Sequence, residues 1–249
     1  MTTALVTGAS SGIGAELARL VAADGHDVVL VARRASELGA LAAELSGARV
    51  IVADLADPAS PAKLVAEVPD VDLLVNNAGV GDFGPFADAD LAKTTAMIQL
   101  NVTSLTELTR WYLPGMLDRG HGQVLNVAST AAFQPGPLMA VYYATKAYVL
   151  SFSEAIAEEL RGSGVTVTAL CPGPTASGFQ TGAAMEGSRL VKDRRLPSAA
   201  TVARAGHRAL RRGDVVAVVG ARNKFLAASV RFTPRPVIRR LVGRMQRSD

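Results

Sequence analysis

Short runs of Val, Leu, Ile and Ala alternate along the chain with longer segments in which apolar residues recur at helical spacing. Since each run is apolar at consecutive positions, it predicts a β-strand that is buried on both faces, as in a parallel sheet covered by helices. The predicted strands are residues 4–7, 28–32, 50–53, 73–75, 124–127, 165–170 and 215–219.

The segments between the strands are typical of helices. Pro58 indicates the start of one helix, because proline fits the first helical turn. The strand–helix alternation predicts an α/β fold: a single Rossmann-type, doubly wound parallel sheet of about seven strands with helices on both faces. No repeat or linker divides the sequence, so one domain is expected over residues 1–249. The other predicted helices are residues 12–24, 37–45, 88–100, 102–117 and 141–160.

Composition excludes several classes of protein. With 49% hydrophobic and 19% charged residues, a chain of 249 residues can bury a full core and is neither disordered nor a disulfide scaffold. The single cysteine, Cys171, is expected to pack inertly, and its use fits a cytoplasmic protein. The first apolar run has no basic segment before it, so no secretory signal is expected. The histidines are scattered, so no metal site is expected.

The net charge of +4 hides an uneven distribution. Residues 1–188 contain 10 Lys/Arg and 19 Asp/Glu, whereas residues 189–249 contain 16 Lys/Arg and 3 Asp/Glu. The first segment is therefore acidic and the second strongly basic. A basic final quarter bears on the partners of a protein rather than on its fold.

A glycine-rich loop follows the first predicted strand and precedes the first predicted helix. Its glycines permit close backbone approach, and the helix directs free N–H groups and its positive end at a pyrophosphate. A plain strand-to-helix turn is the alternative interpretation. The candidate contacts in this loop are Gly8, Ser10, Ser11, Gly12, Ile13 and Gly14.

Two arginines, Arg33 and Arg34, follow the second predicted strand. An NAD site usually has an acidic residue near this point, which binds the ribose 2′-hydroxyl. Guanidinium groups instead suit a 2′-phosphate, so the sequence favours NADP(H). The alternative is a solvated basic pair at the start of a helix.

Tyr142 and Lys146 lie four residues apart on a predicted helix and therefore share one face. A phenol has a pKa of about 10 and is a poor acid–base group at neutral pH, but a nearby ammonium favours its ionised form. Tyr142 could then protonate a substrate oxygen during carbonyl reduction. Ser129, at the end of a strand, could hold that oxygen by a hydrogen bond.

These motifs occur together in an order that resembles the short-chain dehydrogenase/reductase family in its classical, NADP-preferring form. Ser129 precedes Tyr142 by 13 residues, as the family pattern requires, and the resemblance extends to about Val219. The other matching motifs are the cofactor loop at residues 7–14, NNAG at 76–79, YxxxK at 142–146 and PG at 172–175.

The resemblance implies roles for individual residues. Tyr142 would be the general acid in reduction and the base in oxidation, and Lys146 would bind the nicotinamide ribose and lower the pKa of Tyr142. Ser129 would orient the substrate carbonyl, and Asn101 would hold a water in a proton relay through Lys146. Tyr143, about 100° further round the helix, is expected to pack or to form part of the pocket wall. The remaining implied cofactor contacts are Asp54 and Leu55 at the adenine, Asn77, Ala78 and Gly79 along the cleft, and Pro172, Gly173 and Thr175 at the nicotinamide carboxamide.

The basic final quarter contains two features. Residues 175–200 correspond to the substrate lid of the family, and residues 221–249 form a basic helical extension. Within it, residues 234–247 place apolar and basic side chains on separate arcs of a helix. Such a helix could pack on its own domain or across a dimer, lie on an anionic membrane surface, or bind an acidic protein. The lid cations, which could meet an anionic substrate or be solvated, are Arg189, Lys192, Arg194 and Arg195.

These features predict an NADP(H)-dependent oxidoreductase that interconverts a ketone or aldehyde and an alcohol by hydride transfer, on a hydrophobic substrate. The alternative is a non-catalytic, NADP-sensing or membrane-docked binding protein on the same fold. The resemblance further implies a homodimer or homotetramer, and the tail is similar to that of DltE-like oxidoreductases. A cytoplasmic location is expected, with peripheral membrane association as the option that the C-terminal helix adds; no nucleic-acid partner is expected.

Overall fold

The computed structural model describes residues 2–183, 185, 188 and 196–246. Within these residues, seven strands form one parallel sheet, which confirms the predicted fold class. The strands are β1 (Thr3–Thr7), β2 (Asp27–Ala32), β3 (Arg49–Val52), β4 (Leu73–Asn76), β5 (Gly122–Val127), β6 (Val165–Cys171) and β7 (Val216–Val218). Their order across the sheet is β3-β2-β1-β4-β5-β6-β7.

The helices cover both faces of this sheet. They are α1 (Gly12–Ala23), α2 (Ala35–Glu44), α3 (Ser60–Glu67), α4 (Leu91–Ile98), α5 (Leu105–Arg119), α6 (Ala140–Glu159), α7 (Phe179–Gly182), α8 (Ala199–Arg212), α9 (Ala221–Val230) and α10 (Arg235–Gln246). Helices α1, α2 and α8 bury one face, and α3, α5 and α6 bury the other. Side chains alternate accordingly along β1, where Ala4 and Val6 contact the first group and Leu5 the second.

Two helices differ from the sequence prediction. Pro58 does not start a helix: it lies in a turn that the Asp57 carboxylate stabilises by accepting the Ala59 N–H at 3.0 Å, and Pro61 occupies the first turn of α3 instead. Helix α8 is absent from the predicted elements. Its mean hydropathy is low because arginines dominate the exposed face, and its buried face includes small residues. One of them is Gly206, where a Cβ would lie 2.6 Å from the Leu170 side chain.

The helices predicted over residues 88–100 and 102–117 are joined in the structure. Helix α4 begins after Asp90, whose carboxylate caps it, and a π-helical segment over Gln99–Ser104 connects it to α5. Asn101 lies in this segment and is buried. The extra residue in a π-turn re-aims side chains, a feature that is frequent at functional sites.

The C-terminal part contains the extension that the sequence predicts. Helices α9 and α10 follow β7. No helix in the described part of the chain is long and apolar enough to cross a bilayer. The lid cations Arg189, Lys192, Arg194 and Arg195, and Arg247 of the basic arc, lie outside the described residues.

Candidate active site

The predicted site residues converge on one cavity of about 560 Å³ at the carboxyl ends of the strands. Strands β1 and β4 are neighbours there, although β2 and β3 lie between them in the sequence. This is the point where the winding of the sheet reverses and where open α/β sheets bind ligands. All candidate catalytic and cofactor-binding residues line the cavity except Gly14 and Asn101, which are both buried.

Side chains from the ends of β1 and β4 hold the glycine-rich loop in place. The Thr7 hydroxyl accepts hydrogen bonds from the N–H groups of Asn77 and Ala78, both over 3.0 Å. The Asn77 side-chain amide donates to the carbonyl oxygens of Thr7 and Gly8 over 3.0 and 3.2 Å. A Cβ at Gly14 would lie 2.4 Å from the Gly8 carbonyl oxygen and 2.4 Å from this amide, so the loop and α1 meet closely only because residue 14 is glycine.

Helix α1 directs an uncapped N-terminus into this loop. Ser11 is the N-cap residue, but its side chain makes no capping hydrogen bond, and the first turn contains no acidic residue. Gly12 and Ile13 of this turn line the cavity. The positive end of the helix is therefore left for an anionic group, and a phosphate fits such a cradle.

Arg34 and Arg33 flank the same end of the cavity. The Nη2 atom of Arg34 donates to the hydroxyl oxygens of Ser10 and Ser11 over 3.0 and 2.7 Å. Arg33 lies 3.9 Å from the Asp54 carboxylate, and its side chain is 64% exposed. An exposed guanidinium beside one distant carboxylate can turn towards a phosphate at little cost.

Tyr142 lies on α6 in a largely apolar setting. Its ring centre is 5.2 Å from that of Phe179. Burial raises the pKa of Tyr142 to about 12, and the hydrogen bond with Ser129 opposes this shift. The Ser129 hydroxyl also accepts the N–H of Ala131 over 3.1 Å, which fixes it at the end of β5. Tyr142 is therefore protonated at neutral pH, in the form that donates a proton.

Lys146 lies one helical turn after Tyr142 and is also buried. Its Nζ atom donates to the carbonyl oxygen of Val127 over 2.7 Å and lies 5.9 Å from the centre of the Tyr142 ring. Burial lowers the pKa of Lys146 to about 8. The resemblance implies that Lys146 lowers the pKa of Tyr142; in this structure burial has the larger effect, and the net shift of Tyr142 is upward.

Asn101 is held by backbone groups next to the NNAG motif. Its Oδ1 accepts the N–H of Val80 over 3.0 Å, and its Nδ2 donates to the Val80 carbonyl and to the Thr145 hydroxyl over 2.9 and 3.1 Å. A Cβ at Gly79 would lie 3.2 Å from this Oδ1 and 3.4 Å from Nζ of Lys146. The structure thus brings Asn101 and Lys146 together on the two sides of Gly79. The predicted role of Asn101 in holding a water stays a prediction.

The segment after β6 forms the opposite wall. The Thr175 hydroxyl donates to the Gly173 carbonyl over 2.9 Å, and the Pro172 carbonyl accepts the N–H of Thr130 over 2.9 Å. Cys171 is completely buried, and burial raises the pKa of its thiol to about 12, in agreement with the predicted inert packing. The sheet end and the PG motif are therefore joined by backbone hydrogen bonds around the cavity.

Beyond Tyr142 the cavity wall becomes mainly apolar. The side chains of Met139, Tyr143, Phe179 and Met185 line this end, together with Gln134. They belong to one hydrophobic cluster with part of α10, except for Gln134. Such a wall suits a hydrophobic group next to the reacting carbonyl.

Helix α10 packs on its own domain through one side only. Ile238, Val242 and Gln246 are buried, whereas Val237 and Leu241 are 51% and 55% exposed. Among the alternatives that the sequence leaves open, packing on the domain is thus confirmed for the side of α10 that contains Ile238, Val242 and Gln246. Gln246 donates from Nε2 to the Tyr143 hydroxyl over 2.8 Å, a contact that sequence reasoning missed.

Other residues that shape the site also escaped the sequence prediction. Thr7 holds the NNAG motif, and Thr145 holds Asn101. The sequence points to these two residues only in that each stands inside a recognised motif. Gln246 follows Val242 by one helical turn, so its position beside the apolar arc was a usable signal.

Comparison with known proteins assigns the family. The family model for short chain dehydrogenases matches residues 2–186. The chain belongs to the short-chain dehydrogenase family. The motifs at residues 7–14, 76–79 and 142–146 all lie within the match, whereas helices α8, α9 and α10 lie beyond it.

Two curated relatives and one solved structure illustrate the similarity. The ketoacyl reductase HetN of Nostoc sp. is 36% identical over 179 residues, which cover 69% of this chain and 62% of HetN. The NADP-dependent 3-hydroxy acid dehydrogenase YdfG of Salmonella typhi is 39% identical over 176 residues, which cover 68% of this chain and 71% of YdfG. The match thus spans less than two thirds of the length of HetN.

One structural neighbour is a short-chain dehydrogenase from Sphingobium yanoikuyae in complex with NADPH. It is 33% identical in sequence and has a TM-score of 0.84, with 93% of this chain and 94% of that chain covered. The structural similarity therefore extends well beyond residue 186.

Proposed function

We propose that this protein is an NADP(H)-dependent oxidoreductase that interconverts a hydrophobic ketone or aldehyde and the corresponding alcohol. One observation carries the proposal: a buried Tyr142 lines the same cavity as Ser129, Lys146 and the glycine-rich loop. A proton donor, a carbonyl-orienting hydroxyl and a phosphate cradle are the parts that this reaction requires.

The preference for NADP(H) rests on Arg33 and Arg34. Both line the cavity where β2 ends, and Arg34 already binds two hydroxyls of the phosphate loop. A 2′-phosphate would receive charge-assisted hydrogen bonds there. The name of the relative YdfG and the NADPH bound by the Sphingobium protein support the same cofactor. Membership of the DltE-like branch stays a prediction.

The residues of the chain divide the chemistry as follows. The bound cofactor supplies the hydride that the carbonyl carbon accepts. Ser129 holds the carbonyl oxygen, and Tyr142 transfers its phenolic proton to that oxygen as the alcohol forms. Lys146, charged below its pKa of about 8, favours the resulting phenolate. Asn101, fixed by Val80, keeps the π-helical segment next to Lys146 so that a water can return the proton. Oxidation runs through the same groups in reverse.

The substrate end of the cavity favours a hydrophobic substrate, because Met139, Phe179 and Met185 line it. The names of HetN and YdfG point to ketoacyl and 3-hydroxy acid substrates for those proteins. The proposal therefore includes 3-oxoacyl thioesters besides steroid-like and other bulky ketones.

A carbonyl panel tests the enzymatic proposal. Purified protein is given NADPH and 3-oxoacyl thioesters, steroid ketones or aryl ketones, and NADPH absorbance is followed. Loss of absorbance that depends on one of these carbonyls supports the proposal. NADPH binding without oxidation across the whole panel would instead favour the non-catalytic sensor, which has no need of Tyr142 beside Lys146.

We propose a homodimer or homotetramer in which a second copy covers the surface at α4 and α6. This surface has a shallow apolar depression of about 440 Å³, lined by Phe86, Ile98, Val102 and Val141. Phe86 and Ile98 are exposed. Sedimentation velocity of the wild type and of Ile98→Glu tests it: the variant is expected to shift to smaller species, and an unchanged distribution would contradict the assignment.

We further propose a cytoplasmic protein that associates peripherally with anionic membranes through α9 and α10. Residues 221–246 contain seven Lys/Arg and no Asp/Glu. Phe225 and Phe232 are 73% and 87% exposed, and Val237 and Leu241 of α10 are exposed as well. A segment that exposes both apolar and cationic side chains suits the interface of an anionic bilayer.

Vesicle flotation tests the membrane proposal. Wild-type protein is expected to float with vesicles that contain phosphatidylglycerol and to stay behind with phosphatidylcholine alone. Arg240→Gln combined with Arg244→Gln is expected to abolish flotation, whereas the matched pair Arg204→Gln and Arg208→Gln on α8 retains it. Equal flotation of both double variants, or none by the wild type, would refute the assignment.

A further inference from the structure

Tyr143 forms part of the apolar wall of the cavity, in one hydrophobic cluster with Met139 and Met185. It lines the cavity next to Tyr142, with the ring centres 6.1 Å apart in an edge-to-face arrangement. A Cβ at Gly136 would lie 2.3 Å from carbon atoms of the Tyr143 ring, so the ring occupies the space that a side chain at residue 136 would fill. The ring is thus confined on two sides.

The third constraint on the Tyr143 ring comes from the end of α10. Gln246 is completely buried, and its Nε2 donates to the Tyr143 hydroxyl over 2.8 Å. Burying an amide is costly unless it is hydrogen-bonded, so this bond favours the position of α10 in which Gln246 meets Tyr143. Ile238 and Val242 of α10 pack into the same cluster as Tyr143 and Met139.

The element that holds Tyr143 lies outside the part that the family model matches. That match ends at residue 186, and α10 begins at Arg235. The catalytic residues are thus shared with the family, while the support of this wall is supplied by a C-terminal helix that the family model does not describe. A wall supported in this way can set a substrate preference that the shared motifs do not determine.

We propose that Tyr143, positioned by Gln246, is the specificity-determining residue that limits the size of the second substituent on the substrate carbonyl. The ring excludes bulky substituents, and Gln246 is a positioning residue that prevents the ring from swinging aside. The proposal rests on the proposed function for the class of substrate.

Two aryl ketones that differ in the second substituent test this proposal. Acetophenone and benzophenone are compared by kcat/KM with NADPH, and by Kd in the complex with NADP⁺, where no reduction occurs. Tyr143→Ala is expected to raise the benzophenone-to-acetophenone ratio about tenfold or more. Tyr143→Phe and Gln246→Leu are each expected to raise it about threefold, and the double variant no further, because both remove the same bond.

Tyr148→Phe is the matched control. It removes a tyrosine hydroxyl from the same helix, where that hydroxyl bonds Thr106 over 3.0 Å on the exposed side, and it is expected to leave the ratio unchanged. The proposal is overturned if the ratio in Tyr143→Ala stays within about twofold of wild type. Should the alanine variant not fold, the same limit applies to Tyr143→Phe and Gln246→Leu.

The two measurements separate this proposal from the proposed function. Turnover of the ketones with an unchanged ratio refutes the role of Tyr143 alone. A shifted Kd ratio without turnover supports that role and refutes the enzymatic proposal. If the wild type neither binds nor reduces either ketone, both the role of Tyr143 and the enzymatic proposal are overturned.

Discussion

Lys146 donates a hydrogen bond from Nζ to the backbone carbonyl oxygen of Val127 over 2.7 Å. That carbonyl is neutral and does not offset the free-energy cost of removing a charged ammonium from water. Burial therefore lowers the pKa of Lys146 from 10.5 to about 8. The unfolded chain therefore binds more protons than the folded protein between these two values, and stability must rise with pH in that window.

The first prediction concerns this pH dependence. The free energy of unfolding of the wild type, relative to that of Lys146→Met, is expected to rise by about 2 kcal/mol between about pH 7 and about pH 10. Urea unfolding without added cofactor measures it. Lys93→Met, which removes an exposed lysine on α4, serves as the matched control for the loss of a lysine. A flat difference for Lys146→Met would mean that Lys146 is solvated.

The second prediction concerns the fit of the phosphate loop against α1. Gly14→Ala is expected to lower the free energy of unfolding by about 1–3 kcal/mol, because the Cβ would meet the Gly8 carbonyl oxygen. It should also weaken NADPH binding, measured by calorimetry. The matched control is Gly39→Ala in α2, where nothing lies within 4 Å and alanine should stabilise the helix by about 0.5–1 kcal/mol. Equal effects of the two changes would contradict this account of the loop.

The third prediction separates the two cofactors. Arg33→Ala is expected to weaken NADPH binding about 10- to 100-fold and NADH binding less than about threefold, since only NADPH has a 2′-phosphate to pair. The dissociation constants are measured by titration. Arg49→Ala, which removes an arginine bound to Glu67 at the start of β3, should change neither constant. Equal losses for both cofactors after Arg33→Ala would exclude Arg33 as the 2′-phosphate ligand.

The sequence was sufficient for the parts of the site that depend on local spacing. Tyr142 and Lys146 are one helical turn apart, and Ser129 ends a strand, so their convergence follows from an α/β fold alone. The continuous apolar runs likewise predicted the parallel sheet. Helix α8 was missed because arginines dominate its exposed face and lower its mean hydropathy, while small residues such as Gly206, beside Leu170, occur on its buried face. The short helix α7 was missed as well.

Contacts between distant segments could not be predicted in this way. The bond between Gln246 and Tyr143 joins residues 103 positions apart, and no periodicity encodes such a pairing. The direction of the pKa shift of Tyr142 could not be predicted from the sequence either. The sequence shows a nearby ammonium, whereas the depth of burial, which raises the pKa, is known only from the folded protein.

The fourth prediction concerns Tyr142 and is the most direct test of the central claim that it is the proton donor in an NADPH-dependent carbonyl reduction. Tyr142→Phe keeps the ring that packs on Phe179 and removes the phenolic proton, so kcat on any carbonyl reduced by the wild type should fall about 10²- to 10⁴-fold. The dissociation constant for NADPH should stay close to that of the wild type. A variant that retained wild-type turnover, with the same affinity for NADPH, would contradict the account.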